Sequence, residues 1–201
     1  EGYPRYEYRY IKHLLERESN RDPRNKTIEL AVLLLDADED YAGQDKSARG
    51  EFPTREELGK YDVVILGDVD PKSRKLGERN LQHLADFVRD GGGLLTIAGE
   101  RWNPRAYRNT PLAALLPVDT LDAPPRDEES TLVEGYRPEL TAAGRLHPIL
   151  RFHPDEGENR QIWSNQLAEL YWSADGYRVK PGAEILAVHP RRSAADSRRP
   201  R

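Results

Sequence analysis

At 201 residues with a formal charge of -4, the chain is long enough for one sizeable domain and has no overall positive field to attract nucleic acid or anionic lipid. Zero cysteine excludes disulfides, thiolate metal sites and thiol catalysis. No run approaches the roughly 20 apolar residues of a membrane-spanning helix, and Glu1-Gly2-Tyr3-Pro4-Arg5 lacks the apolar stretch of a signal peptide, so no direct membrane contact is expected of this segment. The absence of methionine reads as a piece of a longer protein, which leaves the compartment to the remaining parts.

The apolar positions Tyr8, Ile11, Leu14 and Leu15 recur at helical spacing between charged residues, which predicts an amphipathic helix from Tyr8 to Glu18. The tyrosines at 3, 6, 8 and 10 could form a stacking surface for a base or sugar ring, but are expected instead to pack this helix against a sheet. After the polar break around Pro23, the run Ile28 to Leu35 reads as a buried strand ending at Asp36. Thr54 stands three residues before Glu57, the spacing of a capping box, and Gly59 ends the short helix that follows. A second buried strand is predicted from Tyr61 to Gly67. Leu81, Leu84, Ala85 and Val88 then fall on one helical face, and Gly91-Gly92-Gly93 closes that helix. Those glycines precede a strand, Leu94 to Ala98, whereas phosphate-cradling glycines follow one, so they are not a nucleotide loop. Strand, helix, strand in this rhythm is the pattern of parallel βαβ units.

Thr110-Pro111 opens a helix carrying Leu112, Leu115 and Leu116 and ending at Pro117. Residues 118 to 160 alternate turn formers with short apolar clusters, so an irregular excursion with two edge strands is expected. Ile162-Trp163 and Leu170-Tyr171-Trp172 are expected over a sheet edge, and Glu184 to Val188 is a fourth strand. Beyond Pro190 the Arg- and Ser-rich sequence predicts a disordered tail over 191–201. The domain is therefore placed at 1–190.

Four stretches carry a resemblance: Gly2 to Tyr10, Tyr61 to Asp68, Gly91 to Gly99 and Pro111 to Pro117. Together they are similar to the class I glutamine amidotransferase-like domain of planctomycete-type bacterial proteins that are membrane-anchored or associated with von Willebrand A-type domains. The resemblance covers most of residues 1 to 190. It implies an α/β, flavodoxin-like three-layer sandwich with a mainly parallel sheet, truncated at its edges, since in that family one strand leads into the Gly-Tyr-Pro-Arg turn and another follows the fourth. Exposed sheet edges would allow self-association, and the parent protein would be membrane-anchored.

Active amidotransferases of this class carry a cysteine on a sharp strand-to-helix turn whose backbone N–H groups stabilise an oxyanion. The matching turn, Ala98-Gly99-Glu100-Arg101-Trp102, holds neither cysteine nor serine. His147, His153 and His189 have no nucleophile to serve and read as surface or packing residues. Asp36-Ala37-Asp38 has the form of a phosphatase D-x-D, but Asp40 follows where Thr or Val is usual and no later motif matches. Asp36, Asp38, Asp68, Thr96 and Lys180-Pro181 imitate the order of a receiver domain without its spacing.

The expected function is a non-catalytic binding or assembly module, with other domains of the parent chain or a protein as partner and no cofactor or metal assigned. The alternative is a metal-assisted hydrolase using carboxylates at the strand ends. Any ligand is expected at the carboxyl ends of the strands, where Asp36, Asp38, Asp68, Asp70 and Glu100 would surround Arg101, their repulsion relieved by Arg101, Arg105 or a cation.

Overall fold

The computed structural model describes residues 1–22, 24–37, 45–121, 131–174 and 176–191. The predicted tail, apart from Arg191, therefore lies outside the described residues, as do Asp38 and Asp40. The protein is mixed α/β with a small parallel sheet. Within the span read as one domain, the chain groups into two compact units, Glu1–Leu116 and Pro117–Arg201.

The first unit contains α1 (Tyr6–Asn20), α2 (Arg55–Leu58), β1 (Val63–Leu66), α3 (Gly77–Arg89) and β2 (Gly93–Thr96). The predicted capping box is present: Thr54 Oγ1 accepts from Glu57 N, and Glu57 Oε2 accepts from Thr54 N. α3 buries Leu81, Leu84 and Ala85 as its periodicity predicts, with Phe87 also buried and the expected Val88 only partly so. It ends where Gly91 takes φ 107°, a conformation that favours glycine.

β1 and β2 pair in parallel, Val63 with Gly93 through Leu66 with Thr96. Side chains alternate across a strand, so Val64, Leu66 and Leu94 share one face, and these pack into the core with Leu81, Leu84, Tyr107 and Leu112. On the other face Val63 and Leu95 remain 55% and 47% exposed.

The predicted strand Ile28–Leu35 is not a regular strand here. Its one bridge joins Val32 to Ala48 in parallel. Burial still alternates, with Val32 and Leu34 inside. Leu33 O accepts from Glu1 N, while Leu35 N and Asp36 N donate to Glu1 O and Gly2 O. Short neighbours on both sides meet part of the backbone without giving it a ladder.

Two other expectations are corrected. Thr110–Pro117 forms successive turns instead of a helix, closed by Ala113 N to Thr110 O and Leu116 N to Leu112 O. The segment buries Leu112 and Leu116 from these turns, so the apolar spacing marked core contacts without specifying a continuous helix. Tyr6 and Tyr10 do not pack α1 on the sheet; they are largely exposed, and α1 has no fully buried residue.

The second unit is built from antiparallel pairs: β3 (Val118–Thr120) with β7 (Tyr177–Val179), β4 (Thr131–Tyr136) with β6 (Leu170–Trp172), and β5 (Glu139–Leu140) with β8 (Ala187–Val188). The expected fourth strand is thus reduced to Ala187–Val188. Between β5 and β6 lie α4 (Ala142–Leu146), a 3-10 turn (Pro148–Leu150), α5 (Glu156–Gln161) and a π-turn (Ile162–Gln166). The three histidines of this unit each precede a proline. In each, His Nδ1 accepts the N–H two residues on: from Ile149, Asp155 and Arg191. These are turn-forming histidines, with the ring proton of the neutral form on Nε2.

Candidate functional site

Asp68 sits two residues beyond β1 and is 0% exposed. A buried carboxylate must be paired or hydrogen-bonded, and this one is met by backbone amides. Oδ2 accepts from Arg101 N at 3.0 Å; Oδ1 accepts from Trp102 N at 2.7 Å and Asn103 N at 2.8 Å. Charge-assisted bonds of this type are about twice as strong as neutral ones. They fasten the loop after β2 to the end of β1.

Asn103, also buried, completes the join from the other side. Its Nδ2 donates to Ile97 O at 3.1 Å, Gly67 O at 3.3 Å and Leu66 O at 3.4 Å, so it bridges the ends of both strands. Tyr107 closes the floor, its hydroxyl donating to Val69 O at 2.9 Å. Burial pushes that hydroxyl well above its ordinary range, with the charges of Asp68 and Asp70 acting in the same direction.

The backbone is glycine where these groups converge. A Cβ on Gly99 would collide with the Asp68 carboxyl group, and one on Gly67 with the Glu1 carboxylate. Glu1 accepts from Asp68 N and pairs with Arg5 at 3.0 Å, while Arg5 also donates to Ala98 O at 3.0 Å. The Arg101 guanidinium lies 4.2 Å from the centroid of the Tyr3 ring, a cation–π distance. Burial raises the Tyr3 hydroxyl pKa, helped by Asp68 and opposed by Arg101 and Arg5.

Arg101 therefore meets Tyr3, whose hydroxyl also feels the negative charges of Asp68 and Glu100. The expected ring of acids takes a different form. Asp36 is exposed, its N–H bound to Gly2 O. Asp38 lies outside the described residues. Asp70 turns back on its own loop, Oδ1 accepting from Lys72 N at 2.9 Å. Among the described residues no group of three or more histidines, aspartates and glutamates is placed to hold a metal ion. Arg101 stacks on Tyr3, and Arg5 pairs with the Glu1 carboxylate.

The sequence reading missed Glu1, Tyr3, Arg5 and Asn103. The i, i+4 spacing of Glu1 and Arg5 is a visible signal; the reach of Asn103 to three carbonyls has none. Chemically the arrangement is an anchor: an acid without a free lone-pair direction toward solvent, holding three amides that would otherwise be open donors. Compared with known proteins, the chain matches no family model, and no curated protein or solved structure matches it significantly.

Proposed function

We propose that the chain is a non-catalytic, amidotransferase-like binding or assembly module of a larger bacterial protein. The observation that carries this reading is the engagement of Asp68 with the amides of Arg101, Trp102 and Asn103. In the turn Ala98–Trp102, which corresponds in the family to the nucleophile turn, the amides that would face an oxyanion already hold a carboxylate. The room a side chain at Gly99 would need is filled by the same acid. A finer architecture belongs with this reading: a flavodoxin-like three-layer sandwich for the first unit, supported by the parallel sense of both the β1–β2 ladder and the Val32–Ala48 bridge.

Incubation of the purified chain with glutamine is expected to release no ammonia above a protein-free blank. Release that disappears on substitution of Glu100 or Arg101 would sink the non-catalytic reading. Calorimetric titration with magnesium and calcium separates the hydrolase alternative: the module is expected to give no heat with either ion, whereas millimolar or tighter binding lost in Asp68→Asn would favour metal-assisted chemistry.

A further inference from the structure

The sequence of the second unit repeats a tetrapeptide pattern, Arg145-Leu146-His147-Pro148 and Arg151-Phe152-His153-Pro154. A proline keeps the residue before it out of the helical region, and His147 is extended, at φ -74° and ψ 128°. In both copies the ring turns back on the chain that follows it. His147 Nδ1 accepts from Ile149 N at 3.3 Å, and His153 Nδ1 accepts from Asp155 N at 3.1 Å. Each bond stands where a helical segment begins. His147 is the N-cap of the 3-10 turn Pro148–Leu150; Asp155, whose N–H is held by His153, caps α5 through Glu158 N.

A backbone N–H only donates, so each of these bonds requires an Nδ1 that carries no proton. An imidazolium is a donor at both nitrogens and cannot take either place. The closed turns therefore bind fewer protons than the opened ones, and closing weakens as pH falls. Closing is complete above the range in which imidazoles in water take up a proton, near pH ~6.5, and below it declines by up to about tenfold per pH unit for each ring. Charged groups of both signs lie on this segment and on the elements packed on it. Arg145 and Arg151 oppose a proton on either ring; Asp155, Glu156 and Glu158 favour one; Arg160 is paired with Glu156, and β5, which packs on α4 and the π-turn, carries Glu139. Their balance moves the midpoint of the transition and leaves its sign unchanged, because the closed turn has no place for the proton.

The middle of the segment is held differently. Asn159 Oδ1 accepts from Phe152 N at 2.8 Å and from His153 N at 3.3 Å, and Leu150 O accepts from Asn159 Nδ2 and Trp163 Nε1. Amide and indole groups do not titrate in this range, so these bonds persist when the imidazole bonds are lost. His189 makes the same kind of bond, to Arg191 N, but its ring also stacks on Tyr136 with centroids 3.9 Å apart, so it is held by more than its turn. We propose that residues 147 to 155 form a pH-sensitive element, in which His147 and His153 close two turns near neutrality and release them in mild acid. The opening is local and leaves the apolar core of the first unit, which contains neither ring, intact.

The test is amide exchange of the whole chain, followed by NMR and expressed relative to an unstructured peptide at the same pH. Between about pH 7.5 and about pH 5.5, protection of Ile149 N and Asp155 N is expected to fall by about tenfold, while that of Phe152 N and His153 N stays constant. Asparagine offers a side-chain acceptor to the N–H two residues on and does not titrate. The variant His147→Asn with His153→Asn is therefore expected to keep both turns closed at either pH and to lose the response. Constant protection of Ile149 N and Asp155 N in the unaltered chain overturns the proposal. An equal fall at Phe152 N and His153 N also overturns it, as a general loosening of the unit, and so does an undiminished fall in an asparagine variant with closed turns. If asparagine leaves the turns open, the unaltered chain decides, with the two amides held by Asn159 as the reference within the same molecule.

Discussion

At the scale of single residues, Asp68 has the most to lose. Removing its carboxyl group leaves three amide donors without their acceptor, two of them on exposed residues and one on the buried Asn103. Unsatisfied buried donors cost about 1–3 kcal/mol each, and exposed ones recover water. Asp68→Ala is therefore expected to destabilise the chain by about 1–3 kcal/mol, with Asp68→Asn intermediate because one oxygen remains. Denaturant titration measures both. A loss below about 1 kcal/mol for Asp68→Ala would show that the loop is held by other contacts. Asp68 was visible in the sequence as an acid at a strand end, but its role was not. Its partners are main-chain groups more than thirty residues away, and main-chain groups carry no residue-specific signal.

At the scale of elements, legibility follows how local the determining interactions are. The cap of α2 is set by two side chains three residues apart, and the buried face of α3 by spacing within one helix, so both could be read directly. The run Ile28–Leu35 was read as a strand because its composition suits one, yet regular strand structure needs neighbours of matching length, and among the described residues its backbone meets the short stretches 1–2 and 47–49. The antiparallel pairs of the second unit join segments distant in sequence, such as β3 with β7, so no local pattern predicts the partners. The His-Pro turns were open to reading, since the repeat is plain, but the histidines were considered for catalysis and packing and not as acceptors.

The α2 cap also has a pH signature. Hydrogen bonding from Arg49, then from Thr54, lowers Glu57 from 4.5 to about 2. Asp45 is lowered as well: burial alone would raise it, but hydrogen bonds from Lys12 and Ser47 outweigh that effect. A carboxylate with a depressed folded pKa contributes stability above its unfolded value, and the contribution disappears as pH falls through the folded value. The melting temperature is therefore expected to hold down to about pH 5 and to fall between 4.5 and about 2. In Glu57→Gln the fall across that window should be smaller by a modest amount, because the side chain is exposed and solvent screens the pair. An identical pH profile in the variant would remove Glu57 from the account.

At the scale of the whole molecule, the two units differ in how they are held. The buried apolar cluster runs from Leu58 to Leu116, drawing on α2, β1, α3 and the turns before Pro117. In the second unit the buried positions among the described residues are Tyr136, Gly144 and Asn159, and two of these act by hydrogen bonding: Tyr136 to Trp172 O, and Asn159 to the backbone N–H groups of Phe152 and His153. Apolar burial is the larger stabilising contribution, at about 25 cal/mol per Å² removed from water, so resistance to opening should be concentrated in the first unit. Native-state hydrogen exchange is expected to find the slowest amides in α3 and along β1 and β2. Amides of β3 to β8 should exchange on the order of a hundredfold faster or more. The amides held by Asn159 should be protected above the rest of the second unit, because a buried side chain fixes them. Equal protection in β1–β2 and in β4–β6 would mean that the antiparallel pairs open only with the apolar core, and that the two units unfold as one.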